Sequence, residues 1–197
     1  MKAVRMMILT VVLVLFGTGA YAADCNNGGR YEDMGDGTVT DCRTGMIWLK
    51  NAKCTDTSGG VVNPNGYLNW YDAMKWTKGL GYGFCGLSDE SFPGDWRLPT
   101  KTEWMAMVGY AKSHGYSNPA LTNGGGAGHW TSGDVFTNVQ SSDYWSSTTD
   151  LNISSYARAI YMYTGATNLA GDKANVLFYV WPVRGGQSGT FDSLYIE

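Results

Sequence analysis

Apolar and polar positions along this chain change period several times, and each change marks an element. In the first quarter of the chain, short alternating runs cover Arg30 to Glu32, Thr38 to Asp41 and Met46 to Leu49, separated by "MGDG" and "RTG". Period-two alternation broken by Gly-bearing turns predicts a hairpin followed by a third strand. The period then lengthens: in "LNWYDAMKWTKGLG", Trp70, Ala73, Met74 and Thr77 recur at helical spacing, with Asn69 as N-cap and Gly79 as stop. A short strand is predicted over Trp96 to Leu98. After Pro99, the Thr100-x-x-Glu103 pair is a capping box that starts a second helix at Lys101, running to about Tyr110. Trp104, Met107 and Val108 form its apolar face. Regularity fades from Ala111 to Ser142, a long loop of the functional or mobile kind. Strand patterns return in "DYWSSTT", "SYARAIYMYTG" and "VLFYVWPVRGG", and a polar tail, Gln187 to Glu197, closes the chain.

The first 22 residues change the picture of where the protein works. Lys2 and Arg5 precede an apolar run from Met6 to Phe16, and the stretch ends Ala20-Tyr21-Ala22. This is the grammar of a secretory signal peptide, and no later apolar run is long enough to span a bilayer. The expected location is periplasmic or extracellular, with no membrane insertion after the leader is removed. Removing it takes two of the 14 basic residues and none of the 17 acidic ones, which moves the formal net charge from −3 to −5. An acidic chain of this kind offers no electrostatic footprint for nucleic acid. About 175 residues then remain, enough for a single domain over residues 23–186 with a real core.

Cysteine usage agrees with export. Cys25, Cys42, Cys54 and Cys85 all fall in the first half, and an even count behind a leader predicts disulfides. Sequence alone does not choose among three connectivities. Cys25 with Cys42 and Cys54 with Cys85 is the expected one, because those pairs close consecutive loops on either side of the first strands. Zinc is the competing use, but no C-x-x-C spacing is present and both histidines lie far downstream.

The segments "GDGTVTDCRTGMIWLK", "DWRLPTKTEW", "YWSSTT", "ARAIYMYTG" and "VWPVRGG", in this order, resemble the Lcl C-terminal domain family of bacterial secreted and surface proteins. The resemblance implies an α+β chain of C-type-lectin-like fold: two helices flanking small antiparallel β-sheets, with long loops. It also implies a binding or adhesion role. Two positions depart from the family pattern, Trp181 where an arginine is usual and Arg158 where an aromatic is frequent.

Candidate chemistry narrows from there. "YEDMGDGTVTD" is rich in carboxylates, but aligning Gly37 with the sixth place of an EF-hand loop puts Met34 and Arg43 at ligand positions, so a turn is expected and no metal. The Glu-Pro-Asn type of loop used by calcium-dependent lectins is missing. Neither His114 nor His129 has metal-ligand spacing, "GQSGT" is not a nucleophile elbow, and "NGGGAGHW" lacks the lysine of a phosphate cradle. Formylglycine-generating enzymes share the broad fold but use late cysteines, and none follows Cys85. No catalytic residue and no cofactor is therefore expected.

Aromatics are the remaining means of binding, because flat rings stack on sugar faces and anchor protein contacts. Alternation in "SYARAIYMYTG" sets Arg158, Ile160 and Met162 on one face and Ala157, Ala159, Tyr161 and Tyr163 on the other. With the Ile160 face inward, Tyr161 and Tyr163 point out beside Tyr179, Trp181 and the loop residue Trp130. These five are the candidate ligand-binding residues, for a glycan or protein surface. Trp48, Trp96, Trp104 and Trp145 are expected in the core, and Arg97 and Arg184 as structural clamps. The alternative is a structural subunit of a surface or filament assembly, in which the same aromatics mediate self-association.

Overall fold

A computed structural model describes Cys25 and residues 28–185. The expected leader and the expected polar tail lie outside the described residues. The chain is α+β. Strands β1 (Tyr31–Asp33), β2 (Thr38–Asp41), β3 (Met46–Leu49) and β9 (Val183–Gly185) form an antiparallel sheet in that order. A second sheet has the order β4 (Tyr67–Leu68), β8 (Phe178–Tyr179), β5 (Asp143–Thr149), β6 (Tyr156–Tyr161) and β7 (Ala166–Asp172). Only the contact of β5 with β8 is parallel. Helices α1 (Trp70–Lys78) and α2 (Lys101–Ser113) follow one another between β4 and β5, both strands of the second sheet.

The carboxylates of "YEDMGDGTVTD" are used by the turns. Asp36 Oδ1 accepts from the backbone N–H and the hydroxyl of Thr38, at 3.0 and 2.6 Å. Asp33 accepts from the Gly35 N–H and pairs with Lys50 at 2.6 Å. Asp41 holds the buried Arg30 guanidinium at 3.0 Å. Gly37 sits at φ +87°, a region open to glycine at no steric cost.

Both helices start where their side chains predict. Asn69 accepts from the Asp72 N–H, and the capping box of Thr100 and Glu103 is closed in both directions. On α1 the buried face is Ala73, Trp76 and Thr77, so Trp76 joins the expected stripe while Trp70 and Met74 pack at its margin. The strand expected over Trp96 to Leu98 is reduced to one bridge, in which Arg97 and Val183 exchange backbone hydrogen bonds of 2.9 Å.

The centre of the molecule is aromatic. Trp48, Trp104, Trp181, Phe136 and Tyr144 meet with ring centroids 5.0 to 5.9 Å apart, in tilted or edge-on geometry. Trp48, Trp96, Trp104 and Trp145 are all core residues, as their motifs predict. The long loop is also anchored, since Leu121 and Phe136 are buried and Thr137 exchanges backbone contacts with Lys50 and Ala52. The disulfides are Cys25–Cys42 and Cys54–Cys85.

Candidate functional site

The five candidate aromatics do not form one surface. Trp181 is fully buried, and its indole N–H donates to the Leu49 carbonyl at 2.7 Å. The expectation that it points outward is corrected, and the reason is a break in the strand. "VLFYVWPVRGG" does not run as one strand: β8 ends at Tyr179 and β9 begins at Val183 in the other sheet, so alternation does not carry across Val180 to Pro182. Trp130 is half-buried and packs against the core from its loop, with its backbone N–H on the Leu121 carbonyl. It belongs to the packing more than to an open face.

Tyr161 and Tyr163 do stand in solvent, 38% and 41% exposed. Their rings are nearly parallel, 17° apart, with centroids at 5.8 Å. The face assignment behind them holds only in part. Ala157 and Ala159 are buried as well as Ile160 and Met162, so side chains on both faces of β6 are covered. The β6–β7 register shifts between Ala159 and Tyr161, where the strand ends.

Beside this pair lies a cleft of about 270 Å³, lined by Tyr67, Ser142, Asp143, Leu177, Phe178 and Tyr179. Tyr179 is set in it by edge-on contact with Tyr67 (5.6 Å) and tilted contact with the buried Tyr144 (5.5 Å). Lys53 Nζ lies 5.7 Å from the Tyr179 ring centre. Asp143 opens β5 and stands in register with Tyr161 across the β5–β6 pair, which joins the cleft to the exposed tyrosines. Burial raises the Asp143 carboxyl above its ordinary range. Asp143, Tyr67, Leu177 and Phe178 were not candidates on sequence grounds. Only strand register brings them together, and no local motif encodes it.

This geometry sits within the stretch that one family model covers, residues 37–184, the Lcl C-terminal domain. The chain belongs to that family. No curated protein and no solved structure matches it. Within this Lcl domain, other conspicuous polar groups are structural. Arg97 grips Glu103 with two bonds of 2.7 and 2.8 Å, Arg184 pairs with Asp89 at 2.9 Å, and Arg158 pairs with Asp150 at 2.9 Å. The ligand-type clusters among the described residues, Cys25/Glu32/Cys42 and Cys54/Asp56/Cys85, each contain a disulfide, whose sulfurs are already committed to each other. His114 stacks on Tyr110 with centroids 3.9 Å apart, and His129 Nε2 lies 2.7 Å from the Pro119 carbonyl. Neither histidine faces the cleft residues in any of these contacts. No helix among the described residues is long and apolar enough to cross a membrane.

Proposed function

We propose that this Lcl domain is an exported, non-enzymatic binding module of C-type-lectin-like architecture that holds a glycan at the Tyr161–Tyr163 pair and the adjoining cleft. One observation carries the reading: two exposed, near-parallel tyrosines continue, through the Asp143–Tyr161 register, into a cleft walled by aromatic rings and one carboxylate. Aromatic faces take the C–H surface of a pyranose, and a carboxylate accepts from its hydroxyls. The cleft lies just below the size range of pockets that enclose a whole small ligand, which suits one ring of a polymer whose neighbours rest outside. A glycan array followed by titration of the best ligand tests this. Tyr161→Ala and Phe178→Ala should each weaken binding about tenfold or more, and unchanged affinity in both rejects the site.

Self-association is the second reading. Tyr82 and Phe92 are 70% and 72% exposed on segments tied by the Tyr82 N–H to Ser91 carbonyl bond, an apolar pair of the sort found at subunit contacts. Light scattering over a concentration series separates the two, since a binding module stays monomeric and an assembly subunit does not.

A further inference from the structure

Removing a carboxylate from water is costly, and this chain offsets that cost with a cation or with hydrogen-bond donors: Asp36 accepts from Thr38, Asp134 from the Gly124 and Val135 N–H groups, and Asp172 from the Ala174 and Asn175 N–H groups. Asp41 has Arg30, Asp89 has Arg184, Asp150 has Arg158 and Glu103 has Arg97. Asp143 is the exception among these half-buried or buried acids. No hydrogen bond or ion pair among the described residues involves its carboxylate, and burial raises it above its ordinary range. Lys53 Nζ lies 5.7 Å from the Tyr179 ring centre, and among the described residues it forms no ion pair with Asp143. The cleft therefore contains a desolvated acceptor with open valence, beside rings that supply apolar contact.

Such a site discriminates by charge. A sulfate or uronate brought to Asp143 meets a like charge in a partly desolvated place, whereas an ammonium group makes a charge-assisted hydrogen bond there. We propose that the cleft selects a sugar unit bearing a free amino group, a de-N-acetylated hexosamine, with its ammonium on Asp143 and its ring against Tyr179 and Phe178. This rests on the glycan reading above and adds the identity of the unit. The Tyr161–Tyr163 pair then carries the next ring of the polymer.

The test uses glucosamine oligomers, their N-acetylated counterparts and a sulfated polysaccharide, titrated calorimetrically against the mature chain and its Asp143→Asn variant. The expected order is free amine over N-acetyl by about tenfold or more, with the sulfated polymer weakest. Asp143→Asn should erase that preference while raising Tm slightly at neutral pH. The sign follows from the raised folded-state pKa: the ionised carboxylate costs more in the fold than in the unfolded chain, so stability is lost as pH rises through that pKa. Equal affinity for the amine and N-acetyl oligomers overturns the amino-sugar assignment and leaves the glycan reading standing. A lowered Tm in Asp143→Asn also overturns it, by making Asp143 a structural group. Absence of binding to every oligosaccharide removes both, and tighter binding of a lysine peptide than of the amino sugar transfers the site to a protein ligand.

Discussion

At the scale of the residue, a tryptophan and a tyrosine that look alike in the late strand motifs, Trp181 and Tyr161, have opposite roles. Trp181 fills the centre of the aromatic core, touching Trp48, Trp104, Phe136 and Tyr144 and satisfying its indole N–H on Leu49. Truncating it leaves a cavity and an unfilled carbonyl, so Trp181→Ala should cost about 3–5 kcal/mol in urea unfolding. Tyr161 is open to solvent, and Tyr161→Ala should stay within about 1 kcal/mol of the parent in the same experiment. If Trp181→Ala unfolds at the parental midpoint, the inward placement is wrong. Gly37 gives a second residue-scale prediction. At φ +87° an added Cβ is strained, and it would also overlap the backbone carbonyl of Gly86. Gly37→Ala should therefore lower the urea midpoint by about 1–3 kcal/mol equivalent, whereas Gly45→Ala, with open space at its Cβ, pays the backbone strain alone.

At the scale of the element, the start of α2 joins local grammar to tertiary structure through one carboxylate. Glu103 accepts from the Thr100 N–H at 2.7 Å, closing the capping box, and holds Arg97 with both oxygens. Burial pushes its pKa up, but the bonds from Arg97 and from the Thr100 backbone outweigh that and hold it below the ordinary value. A lowered folded-state pKa contributes stability that is present above the unfolded value and lost as pH falls through the folded one. Thermal melts of the parent should lose Tm on acidification below the ordinary glutamate range, and Glu103→Gln should start lower at neutral pH and lose less over that interval. Thr100→Ala, which keeps the Arg97 pair, should cost about 1 kcal/mol with the acid limb intact.

The same helix shows what the chain makes legible. A capping box, an N-cap asparagine, a Gly-bearing hairpin and paired cysteines are local rules, and each is found where its residues stand. Strand β7 obeys no such rule. Its sequence "ATNLAGD" lacks clear alternation, because Gly171 must leave room for Phe178 and Trp145, whose rings would lie 2.8 and 2.9 Å from an added Cβ. The two-residue strands β4 and β8 are too short to show a period. The cleft is hidden for the same reason: Tyr67, Asp143 and Phe178 come from three strands and share a site only through register.

At the scale of the whole molecule, both covalent links fall in the first half of the chain, while the candidate site is built mainly from the second. Cys25–Cys42 closes 17 residues around the β1–β2 hairpin, and Cys54–Cys85 closes 31 residues around α1 and its loops. In the chain-entropy model these contribute about 3 and just under 4 kcal/mol, so they supply a large share of the stability expected of a domain this size. The second link also fixes polar contacts beside it: the Cys85 N–H donates to Asp56 Oδ2, and Trp76 Nε1 to the Asp56 carbonyl. The Cys54→Ser/Cys85→Ser pair should accordingly destabilise more than Cys25→Ser/Cys42→Ser, read as the larger fall in urea midpoint. At moderate temperature the first-pair variant should still bind the ligand of the Tyr161–Tyr163 site with parental affinity, because β5, β6 and β8 contain no cysteine and Cys25–Cys42 clamps the other sheet. Loss of ligand affinity in a Cys25→Ser/Cys42→Ser variant that remains folded would mean that the two sheets communicate, and that the site draws on the N-terminal half for more than its wall at Tyr67.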